Sequence, residues 1–99
     1  MEFTMVLGRF PRKTAIPTLG GQSQFCVWVS GGTLVIQNSK GTTKAIGSDY
    51  WVVVLNRRRS LGARKDRAGE YVDPNWHLPP PTDRIFAPYV AAVMRYMGG

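Results

Sequence analysis

The strongest pattern along the chain has a period of two and is centred on a pair of glycines. Gln24–Ser30 (QFCVWVS) and Thr33–Gln37 (TLVIQ) flank Gly31-Gly32. Successive side chains on a strand point to opposite faces. A two-residue hairpin turn needs φ > 0, which glycine supplies. The spacing therefore predicts a hairpin in which Ser30 faces Thr33, Val29 Leu34, Trp28 Val35, Val27 Ile36 and Cys26 Gln37. Phe25, Val27, Val29, Leu34 and Ile36 then share one almost wholly apolar face, which belongs on a core. Cys26, Trp28, Val35 and Gln37 share the other, which is expected to be covered only in part. Asn38-Ser39-Lys40-Gly41 reads as a second turn, with Gly41 left-handed. Residues 42–46 return as a polar third strand, and Lys40 and Lys44 protect its edge.

A helical period replaces this one at the end of the chain. Phe86, Tyr89, Val90, Val93, Met94 and Met97 form a stripe at helical spacing. Pro88 is welcome in a first turn, so the main helix is expected over residues 88–97, with a turn before it. Residues 48–62 read two ways. The β-branched run Val52-Val53-Val54 speaks for a buried strand. The ends speak for a helix: Ser48 fits an N-cap, Asp49 the positive end of the dipole, Arg57 to Arg59 the negative end, and Gly62 the C-cap. The caps agree with one another and favour the helix, with Trp51, Val54, Leu55 and the stem of Arg58 on one face.

The remaining segments carry weaker patterns. Residues 1–8 read as a short first strand. Residues 9–21 read as an arm or loop, punctuated by Pro11 and Pro17 and pinned by Phe10 and Ile16. Its cations, Arg9, Arg12 and Lys13, either follow a nucleic-acid groove or are simply solvated. Residues 63–82 form a long irregular connection, first basic, then aromatic, with polyproline II expected at residues 79–81. A connection of that length is usually functional or disordered. Tyr71 and Trp76 imply that it packs across the domain. The expectation is one α+β domain: an antiparallel β-meander of three or four strands packed against one or two helices.

Charge changes the picture more than composition does. The 99 residues have room for one core, and 43% apolar content is ordinary. Thirteen Lys and Arg face six Asp and Glu, leaving +7. Such a balance bears on partners rather than on fold, and polyanions, nucleic acid before an anionic membrane surface, are the obvious ones. A basic protein that is merely soluble is the plainer reading. Five of the seven net charges lie in the eleven residues from Arg57 to Arg67. The single Cys26 excludes an internal disulfide. The first residues lack the features of a signal peptide, and no apolar run approaches the ~18 residues of a membrane span. A cytoplasmic protein that does not enter a membrane is expected.

Few residues offer chemistry. One cysteine and one histidine cannot build a Cys/His zinc site, and neither a metal nor another cofactor is expected. Cys26 and His77 as nucleophile and base, or Glu70 and Asp73 as an acid/base pair, lack a fixing context, so the chain does not read as an enzyme. The glycine pairs lack the lysine and helix of a phosphate loop. Arginine suits phosphate because its planar fork donates two parallel hydrogen bonds. Arg57, Arg58, Arg59, Arg64, Lys65 and Arg67 are therefore the expected phosphate contacts, fanned along one edge. Tyr71 and Trp76 either stack on exposed bases or anchor the loop. The leading expectation is a small nucleic-acid-binding accessory protein with little sequence specificity, for DNA or RNA. The alternative is a protein-interaction or self-associating module, meeting an acidic partner or a second copy through Trp28.

One further pattern has a family likeness. Phe25 to Gly41 reads F-x-V-x-V-x2-G-x-L-x-I-x-N-S-x-G; Ser48-Asp49-Tyr50-Trp51 follows, and Tyr89-Val90-x2-Val93 closes the chain. The pattern resembles small uncharacterised bacterial proteins and domains associated with mobile gene cassettes. The resemblance implies a β-meander followed by helices and carries over no catalytic residue. The Val52–Val54 run and the proline-rich connection depart from it.

Overall fold

The glycine pair sets the centre of the sheet. In a computed structural model, which describes residues 2–79 and 84–98, Gly31 and Gly32 have φ of 58° and 76°. This left-handed pair matches the twist of the flanking strands. Strands β2 (Gln24–Ser30) and β3 (Thr33–Gln37) pair in the register expected, from Ser30 opposite Thr33 to Cys26 opposite Gln37. Gly41, with φ of 85°, turns the chain into β4 (Thr43–Ile46), where Ile46 lies opposite Leu34. The fourth strand, β1 (Thr14–Pro17), lies in the segment expected to be an arm. It pairs with β2 and sets Ile16 opposite Phe25. Pro17 is tolerated there because β1 is an edge strand. The sheet is an antiparallel meander in the order β1-β2-β3-β4.

Helices cover one face of this sheet. Helix α1 (Phe3–Leu7) replaces the first strand expected over residues 1–8. Phe3, Val6, Leu7 and Phe10 recur at helical spacing, and the turn sets Phe3 against Trp51, with ring centroids 5.8 Å apart. Helix α2 (Ser48–Leu61) resolves the ambiguity of its segment. Its cap is Gly47 rather than Ser48, and the Trp51 amide donates to the Gly47 carbonyl. Asp49 sits in its first turn, Arg58 and Arg59 in its last, and Gly62 caps the C-terminus. The stripe buried along α2 consists of Tyr50, Trp51, Val54, Arg58 and Leu61. Its one polar member, Arg58, belongs to the site described next. Helix α3 (Ala87–Tyr96), with a 3-10 turn before it at Arg84–Phe86, supplies Phe86, Val90, Val93 and Met94. These join Phe25, Val27, Leu34, Ile36 and Trp51 in one core. The Phe25 and Tyr89 rings meet edge to face at 4.9 Å.

The connection after α2 is not irregular throughout. It forms 3-10 turns at Gly62–Arg64 and Ala68–Tyr71 and buries Tyr71 and Leu78. The polyproline II expectation for residues 79–81 lies, beyond Pro79, outside the described residues.

Candidate nucleic-acid interface

Successive residues on a helix point about 100° apart. The three consecutive arginines at the end of α2 accordingly go three ways. Arg58 turns inward and is only 3% exposed. Its Nη1 donates to the Lys65 carbonyl at 2.8 Å and to Asp66 Oδ1 at 2.9 Å. Arg57 turns toward the connection, where its Nε and Nη2 donate to the Glu70 carbonyl at 3.1 and 2.8 Å. Its Nη2 lies 3.7 Å from both Glu70 Oε2 and Asp73 Oδ2. Arg59 points to solvent beside an open groove of about 650 Å³ between α1 and α2, walled in part by Phe3, Trp51, Val52 and Leu55.

The same logic runs through the connection. Loop carbonyls that leave water need donors, and arginine offers five on one plane. Arg64 Nη1 reaches Glu70 Oε1 at 3.3 Å. Arg84, which the sequence reading passed over, donates from Nε to the Asp73 carbonyl at 3.0 Å and from Nη2 to the Pro74 and Trp76 carbonyls. The Tyr71 hydroxyl donates to the Lys65 carbonyl. Burial pushes the Tyr71 phenol above its ordinary range, against the pull of Arg58.

Two of the expected contacts are therefore corrected. Arg58 is buried against a carboxylate and a carbonyl, and Tyr71 is fully buried, so neither face is open to a phosphate or a base. Trp76 is partly buried, with the Arg57 guanidinium 5.4 Å from its ring centroid and the Tyr71 ring at 6.1 Å. It acts as the loop's anchor, the packing half of the expectation. Arg57 and Arg64 are already paired with carboxylates. Arg59, Lys65 and Arg67 remain, exposed and without an ion pair among the described residues. The structure thus divides the six cations: Arg57, Arg58 and Arg64 form a clamp on the connection, while Arg59, beside the α1–α2 groove, and Lys65 and Arg67, in the connection, are exposed and are termed the rim. The signal for the clamp lay in the carboxylates, since Asp66, Glu70 and Asp73 all sit within the connection.

The other candidates are separated by the fold. Cys26 lies on the sheet face away from the core, whereas the connection that carries His77 packs on the helical side. Glu70 and Asp73 converge on Arg57. Among the described residues, no group of three or more His, Cys, Asp or Glu lies where it could hold a metal ion. No described helix is long and apolar enough to cross a membrane. No protein-family model matches the chain, and neither a curated protein nor a solved structure matches it.

Proposed function

We propose that the protein is an accessory protein that binds the phosphate backbone of nucleic acid with little sequence preference. The observation that supports this reading is where the anions are. Asp66, Glu70 and Asp73 are turned onto Arg57, Arg58 and Arg64. Residues 3–48 hold five cations and no Asp or Glu at all. The charge offered to solvent is in consequence strongly cationic, and Arg59, Lys65 and Arg67, the exposed cations around the clamp, are the contacts this reading assigns to phosphate.

Binding of a labelled duplex and of a single strand of equal length, at two salt concentrations, tests the reading. Phosphate neutralisation releases counterions, so affinity should fall steeply with salt. Changing Arg59, Lys65 and Arg67 together to Ala should weaken both complexes. It should also reduce the log–log salt slope by about 2 to 3. Unaltered affinity and slope would remove the rim's role. The second reading, a self-associating or acidic-partner module, draws on Trp28, partly exposed on the sheet's open face. A stable dimer by light scattering, with no affinity for polyanions, selects it.

A further inference from the structure

We infer that the open face of the sheet is a platform for single-stranded nucleic acid, on which Trp28 stacks a base and Lys13 meets the adjoining phosphate. The inference rests on the nucleic-acid reading above and names the form of nucleic acid.

The pairing register sets Trp28, Val35 and Ala45 in one row across the sheet. Ala15, Cys26, Gln37 and Thr43 form the next row. These side chains point away from the core, and neither Trp28 nor Val35 belongs to it. Thr14 is opposite Val27, so Lys13 enters the face beside Trp28. Its Nζ lies 5.3 Å from the centre of the indole ring. A base that stacks on this face takes the place of the ammonium, and Lys13, on its flexible stem, then stays within reach of the phosphate of the same nucleotide, so one residue pair supplies both contacts. In the next row the half-buried Gln37 amide makes no hydrogen bond among the described residues, leaving a donor and an acceptor for a base edge.

Charge selects the occupant. No carboxylate occurs between residues 3 and 48, which span all four strands and their turns. Arg12, before β1, and Lys40, in the β3–β4 turn, are exposed cations on the same acid-free stretch. Two copies of such a face would set like charge against like, which disfavours self-pairing. Size selects the strandedness. Four strands at about 4.8 Å spacing are about 14 Å across before side chains are added. The major groove is about 12 Å wide and admits a helix or a two-stranded ribbon. This sheet cannot enter a duplex, but unpaired bases can lie flat on it.

The test is fluorescence anisotropy of a labelled thymidylate 20-mer and a 20-base-pair duplex against the full chain and its variants. Trp28→Ala should weaken the single strand roughly ten- to hundred-fold. Trp28→Phe, which keeps a stacking ring, should stay within a few-fold. Ala45 is exposed on the same row, so Ala45→Glu should weaken the single strand and Ala45→Lys strengthen it, each severalfold, without disturbing the core. Duplex affinity should not respond to Trp28→Ala. If the rim variant loses binding while Trp28→Ala and Ala45→Glu do not, nucleic-acid binding stands and the platform is overturned. If neither probe binds the unaltered protein in 50 mM salt, both readings fall. A dimer that Trp28→Ala splits assigns the face to a second copy and overturns the platform.

Discussion

Arginine carries five N–H donors on one rigid plane, and its surroundings decide whether those donors hold the fold or meet a ligand. Arg58 and Arg59 are neighbours with opposite roles. Arg58 joins the end of α2 to the turn at Lys65 and Asp66, while Arg59 faces water. Hydrogen bonds made by a charged group contribute about 1.5–3 kcal/mol. Arg58→Ala should therefore cost about 2 kcal/mol, seen as a drop in Tm of roughly 10 °C. Arg59→Ala should move stability by no more than about 0.5 kcal/mol, and thermal melts of the two variants check the contrast. Tyr71 answers to pH. Its folded-state pKa is raised above its ordinary value, chiefly by burial, so the native state holds the phenolic proton longer than the unfolded chain does. Stability should be intact below about pH 10 and fall as pH rises through the folded pKa. Tyr71→Phe should flatten that alkaline loss, at about 1 kcal/mol of stability for the lost bond to the Lys65 carbonyl, as denaturant melts between pH 8 and 11 would show.

At the scale of elements, the connection after α2 is held more by side chains reaching back to its carbonyls than by a stripe of its own. Arg84 grips Asp73, Pro74 and Trp76, and Arg57 grips Glu70. Arg84→Ala should loosen the turn at residues 73–76 and expose the basic stretch ahead of it. Limited trypsin digestion should then cut after Arg64, Lys65 or Arg67 severalfold faster than in the unaltered protein. An equal rate would mean that Arg84 does not hold the loop. The same feature explains what the sequence revealed and what it hid. The β2–β3 register was legible because alternation and a glycine turn are local signals. Helix α2 was legible from its ends, since Asp49, the arginines and Gly62 outweighed the β-branched Val52–Val54. Helix α1 hid because the helical spacing of Phe3, Val6, Leu7 and Phe10 lies within a short run that is apolar nearly throughout, which reads equally well as a strand, and β1 hid behind Pro11 and Pro17. The clamp hid for a different reason. It joins arginines to carbonyls and carboxylates six to sixteen residues away, and such pairs leave no periodicity. That is why the head of Arg58 read as a phosphate contact, and why Tyr71 stood open between stacking on a base and anchoring the loop.

At the scale of the whole molecule, the question is whether the fold adds anything to its charge. The protein measures 32 × 28 × 24 Å, and at physiological salt charges more than about 8 Å apart through solvent are largely screened. Opposite faces of the molecule lie further apart than that, so charges on the helical layer and on the open face of the sheet are largely screened from each other. A chain of +7 attracts polyanions when unfolded as well as when folded. A ligand raises Tm only to the extent that it prefers the native state, and at a hundredfold excess over Kd that preference is worth at most about 2.7 kcal/mol. For a domain of this size the corresponding rise is roughly 10–20 °C. A thymidylate 20-mer at that excess in low salt should raise Tm toward this range, because the fold gathers Lys13 and Trp28 in a way the coil does not. The rise should shrink as salt is added and should be smaller in Trp28→Ala. A Tm that stays level or falls would mean that the unfolded chain binds the oligonucleotide as well as the folded one, leaving charge alone, and no built site, to account for any affinity.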